Sequence, residues 1–93
     1  MNENDKATLG LSIHTILAKH ATPGREVPFI PFFFYGVGIN MGFTCTEEDI
    51  SNILEKLVLK GFAKNVPNFG YVAVSNQLYD HSVTDDPWDW VKV

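Results

Sequence analysis

At 93 residues the chain has room for one domain, and its 45% apolar and 13% aromatic content supplies a core, which excludes global disorder. A single cysteine, Cys45, excludes an internal disulfide framework and suits a reducing compartment, so a cytoplasmic location is expected. The net charge of −4 is uneven: residues 80–93 hold Asp80, Asp85, Asp86 and Asp89 against Lys92, the rest is nearly neutral, and no broad basic face for nucleic acid is visible.

The opening MNENDKATLG is polar and has no basic-then-apolar secretory pattern, so residues 1–7 read as a polar lead-in. From Thr8 to Ala21 the spacing predicts a helix with Leu9, Ile13, Ile16, Leu17 and His20 on one side. Ala21-Thr22-Pro23-Gly24 breaks it. Glu26-Val27-Pro28 then allows only a short extended piece, because proline lacks the ladder donor and restricts its predecessor.

Ile30 to Phe43, IPFFFYGVGINMGF, fits a buried strand or a buried helix, and periodicity does not arbitrate. Pro31 is acceptable in a first helical turn, whereas Gly36 and Gly38 each weaken a helix by roughly 1 kcal/mol relative to alanine. The segment is read as helix, since a second helix crossing closely would explain a glycine there. Around Phe29 to Ile39 the apolar run is too short and too broken to span a bilayer, so no membrane partner is expected.

Thr46 to Ser75 is the most legible stretch. Ile50, Ile53, Leu54, Leu57 and Val58 form one apolar stripe at helical spacing. Thr46 with Asp49 predicts a capping box, Thr44 with Glu47 offers a rival start, and the acids at 47–49 suit the helix dipole. Gly61 is the expected stop, with Lys56 and Lys60 near that end. Phe62 to Val66 and Tyr71 to Ser75 read as strands around the turn Pro67-Asn68-Phe69-Gly70, with Tyr71, Ala73 and Ser75 on one face and Val72 and Val74 on the other. Beyond Ser75, Pro87 forbids a simple helix, and Trp88 and Trp90 point the same way if that end is extended. This acidic, Trp-containing tail of residues 76–93 is expected to fold back on the domain or to dock a second subunit.

No catalytic chemistry is expected. His14, His20 and His81 are distant in sequence from Cys45, which reads as a buried or half-buried thiol rather than a nucleophile. His14 and His20 do not share a helix face well, and Cys45 has no CxxC partner, so no metal site is read. Asp85, Asp86 and Asp89 lack the glycine and terminal glutamate of a calcium loop. No small-molecule cofactor is evident. Phe32-Phe33-Phe34-Tyr35 is most simply core, although a chain of this size cannot easily bury that run together with Phe29, Phe43, Trp88 and Trp90.

The layout resembles a winged helix-turn-helix domain over roughly residues 8–75. Ile50-Ser51, Leu54, Leu57, Gly61 and Phe62-Ala63-Lys64 follow the pattern of its recognition helix, Gly70 to Val74 that of the returning wing strand, and Met41-Gly42-Phe43-Thr44 that of the turn between the helices. Gly38 falls at the small-residue position where those two helices cross. The resemblance implies an α+β, mainly α fold of three helices plus a small antiparallel β-wing, followed here by the acidic aromatic tail. It departs from the pattern in a turn about two residues longer, an unusually aromatic second helix and an acidic recognition helix.

Two functions follow. The first is a DNA-binding module of the transcriptional-regulator type, a homodimer, using Ser51, Asn52, Lys56, Lys60 and Lys64; it comes first because the layout most often serves DNA. Glu47, Glu48 and Glu55 oppose it, because phosphates repel carboxylates. The second is a protein-interaction module using Glu48 and Glu55 on the helix with Trp88 and Trp90 in the tail.

Overall fold

In the computed structural model, which describes residues 1–81 and 86–92, Asn2 caps the first helix. Its side-chain oxygen accepts from the N–H of Asp5 at 2.8 Å, so α1 runs from Glu3 to Lys19. The residues expected to be a polar lead-in are instead the first helical turn, with Glu3 and Asp5 at the positive end of the helix dipole. Leu9, Ile13 and Leu17 are buried as expected. His20 is exposed, whereas His14 on the same helix is buried.

After the turn closed by Arg25 on Thr22, the extended piece forms at Phe29, one residue past Pro28. Phe29 exchanges two backbone hydrogen bonds with Tyr71, at 2.9 and 2.8 Å. Pro31 then opens α2, Pro31–Asn40, which settles the ambiguous segment as helix. Only Phe34 and Gly38 of α2 are buried. A Cβ at Gly38 would lie 2.7 Å from Cys45 Sγ and 3.2 Å from a Leu9 methyl, so the glycine marks a close approach.

Helix α3, Glu47–Leu59, starts at Thr46 rather than Thr44. The Thr46 hydroxyl accepts from the Asp49 N–H at 3.1 Å, and the Asp49 carboxylate accepts from the Thr46 N–H at 2.9 Å. Ile50, Ile53, Leu54 and Leu57 bury the predicted stripe, and Gly61 ends the helix at φ 82°. Strands β1, Ala63–Val66, and β2, Gly70–Ala73, pair antiparallel with Ala63 opposite Ala73 and Val66 opposite Gly70. They are shorter than expected, leaving out Phe62, Val74 and Ser75. The expected two-face alternation does not separate inside from outside, because Tyr71, Val72 and Ala73 are all buried in a strand flanked by β1 on one edge and Phe29 on the other.

Tail residues form a second antiparallel hairpin that the sequence did not suggest. Its strands are β3, Tyr79–His81, and β4, Trp90–Lys92, with His81 opposite Trp90. Trp88 and Trp90 belong to the same core as α1 and α3. The fold is α+β and mainly helical: three helices, an antiparallel hairpin after the third, and a tail folded back on the body.

Candidate functional site

Burial of Ile50, Ile53, Leu54 and Leu57 fixes which side of α3 faces out. The outermost row is Glu48, Asn52, Glu55 and Leu59, spaced i, i+4, i+7 and i+11, and all four are exposed. Leu59 is 82% exposed. The ridge therefore offers two carboxylates, one amide and one aliphatic side chain, with Ser51 beside it and no cation along it. Glu55 also lies towards the hairpin: burial, and then the Glu55 charge, push the Tyr71 hydroxyl above its ordinary range.

Four of the five residues expected to contact DNA lie along α3 and its cap, where Asn52 and Lys56, one turn apart, line one small cleft with Trp88. Ser51 and Asn52 lie on or beside the ridge. Lys56 and Lys60 lie on its flank, where the tail meets them: Lys56 Nζ sits 5.8 Å from the centre of the Trp88 ring, and Lys60 Nζ is 3.8 Å from the Asp86 carboxylate. Lys64 is exposed on β1, beyond the Gly61 stop. Each tail contact is weak, and the exposed ion pair is worth little. Together they nevertheless place a carboxylate and an indole where a phosphate grip would form.

Of the four residues expected to contact a protein, Glu48 and Glu55 are exposed. Trp88 and Trp90 are not: they are 3% and 7% exposed, and the proposal that they dock a partner is corrected by their burial in the chain's own core. Trp88 lies on Gly10, where a Cβ would come within 2.8 Å of the ring, and its indole N–H donates to Glu3 at 3.0 Å. Trp90 stacks on Phe62 with centroids 4.7 Å apart and contacts His14 at 5.9 Å.

The aromatic surplus lies elsewhere. Phe32 and Phe33 on α2 are 65% and 46% exposed, and with Ile30, Gly36 and Val37 they frame an open, largely apolar groove of about 670 Å³; Ile39 is exposed but does not line it. The sequence held the signal, too many aromatic residues for one core, but not which of them would be left out.

Burial shifts both Cys45 and His14 towards their neutral forms. Burial, and secondarily the Asp49 charge, push the Cys45 thiol up, away from the reactive thiolate. Burial pushes His14 down, and its Nδ1 has no hydrogen-bond partner among the described residues. Among the described residues no group of three or more His, Cys, Asp or Glu is placed to hold a metal ion, and no helix is long and apolar enough to cross a membrane. Asp85, one of the three acids weighed for calcium, lies outside the described residues. No family model, curated protein or solved structure matches the chain.

Proposed function

We propose that this chain is a non-enzymatic winged-helix module that recognises a protein partner through the exposed ridge of α3. The order α1, bridge at Phe29, α2, α3, β1, β2 supports the winged-helix reading, with the bridge joining the strand that returns from the wing turn. Gly38 lends less support: its close neighbours are Cys45 in the connection to α3 and Leu9 on α1, and the nearest α3 atom, on Ile50, would lie at an ordinary 3.9 Å from a Cβ there. One observation carries the choice of partner. Glu48, Asn52, Glu55 and Leu59 make a mixed acidic and apolar ridge, which suits a protein surface with a basic rim and would repel phosphates.

Duplex DNA is the second reading, favoured by the winged-helix order itself. Ser51 and Asn52 would read bases, and Lys56, Lys60 and Lys64 would hold phosphates once the tail contacts of Lys56 and Lys60 opened. Titration of labelled duplex DNA with the full chain at low and at physiological salt separates the two. No binding at low salt is expected. Tight binding that falls steeply with salt and weakens on Lys64→Ala would overturn the protein-recognition reading. A partner captured by the full chain should be lost from a Glu55→Lys, Leu59→Ala double variant that keeps its circular-dichroism spectrum.

A further inference from the structure

We propose that two copies of this chain dimerise across the outer face of α2, the Phe32 ring of each seated beside Gly36 of the other. This goes beyond the α3 reading and uses a different face, so either can fail alone.

Charge selects the surface. Each copy carries −4, so two copies meet at least cost where the charge is absent. Helix α2, PFFFYGVGIN, has no charged residue at all, while α1 and the α3 ridge carry carboxylates.

Area then supports a second copy as the occupant. With an aromatic side chain worth about 200 Å² and an aliphatic one somewhat less, the exposed parts of Ile30, Phe32, Phe33 and Ile39 sum to roughly 400 Å². A stable interface takes about 800 Å² from each partner, a little over half of it apolar. These four residues therefore supply most of the apolar share on each side.

Shape makes the face self-complementary. Phe32 projects, and Gly36, one turn later on the same side, is a hollow where a Cβ would meet nothing within 4 Å. Gly38 is accounted for by Cys45 and Leu9; nothing among the described residues accounts for Gly36. A two-fold axis passing between the levels of Phe32 and Gly36 sets two antiparallel α2 helices so that each ring meets the other's glycine. Such a pair satisfies the rule for an isologous contact, in which residue i meets j and j meets i. The small residue lets the two backbones approach closely.

Sedimentation velocity of the full chain across a wide concentration range tests this. A reversible monomer–dimer equilibrium is expected, with Gly36→Glu and Phe32→Ala each raising the dissociation constant at least about 30-fold. Gly36→Glu should leave helix content and monomer melting intact, since the site is open in the single chain. A chain that stays monomeric at the highest concentration would overturn the proposal and leave the groove to a different protein or an apolar ligand. A dimer that survives both substitutions would place the interface elsewhere and overturn it equally.

Discussion

The indole N–H of Trp88 donates to the carboxylate of Glu3 across 3.0 Å, joining residues 85 positions apart. The contact ties the tail to the first turn of α1, and the Trp88 ring lies on Gly10 of the same helix. Trp88→Ala is expected to cost about 3–5 kcal/mol, the range for deleting a large buried aromatic. Glu3→Gln keeps an acceptor and should cost less than about 1 kcal/mol. Urea unfolding followed by circular dichroism measures both. A chain shortened to end at Ser75 loses both tryptophans from the core, so partner-binding tests require the full chain.

Gly10 gives a sharper result. Alanine is worth up to about 1 kcal/mol over glycine in a helix interior. Here its methyl would reach 2.8 Å from the Trp88 ring. Gly10→Ala should therefore lower stability by roughly 1–3 kcal/mol, as overpacking does, and red-shift the tryptophan emission as the ring is displaced. A stabilised variant with unchanged emission would show that the ring is not seated there.

Helix α3 depends on its two ends. Thr46→Ala removes one half of the capping box and is expected to cost about 1 kcal/mol. The backbone and hydroxyl donors of Thr46 hold the Asp49 carboxyl below its ordinary range. Its stabilising contribution is thus present above the unfolded carboxyl value and is lost as pH falls through the folded one. Asp49→Asn should remove that acid limb from a pH series of melting temperatures, whereas Thr46→Ala, which keeps the backbone donor, should only reduce it.

His14 titrates in the opposite chemical sense with the same outcome at low pH. Burial favours its neutral form, and the rings of Phe62, Tyr79 and Trp90 stand around it. The folded value lies below the unfolded value of about 6.5. Stability is therefore full above that pH and declines below it, because the unfolded chain takes up the proton first. The decline continues until the folded value is reached, below which both states carry the proton. His14→Phe should remove this portion of the decline, which chemical unfolding between pH 7 and pH 5 would detect.

What could be read from the sequence was local. The capping pair Thr46 and Asp49, the stripe from Ile50 to Leu57 and the stop at Gly61 lie within one helix and need no distant partner. The hairpin after it was legible from Asn68 and Gly70, both at positive φ in the structure. The start of α1 was also local, in Asn2 with Asp5, but a polar stretch without an apolar period hid it. The tail was illegible for a different reason. Pairing of Tyr79–His81 with Trp90–Lys92 carries no tight-turn signature, and the seat of Trp88 is a glycine far up the chain. The exposed faces followed only from the fold: α2 turns Phe34 inward, which sends Phe32 and Phe33 out.

Joining Glu3 to Trp88 and packing Trp90 on His14 and Phe62 also sets an order of assembly. Local contacts within α1 and α3 form quickly, but closing a loop of this length comes at an entropic cost that grows with its span. During synthesis the helices emerge with Gly10, His14 and Phe62 still uncovered, and their core is completed only when Trp88 and Trp90 have left the ribosome. Completion of the core is then expected late, in a step that needs both α1 and the Trp88–Trp90 segment.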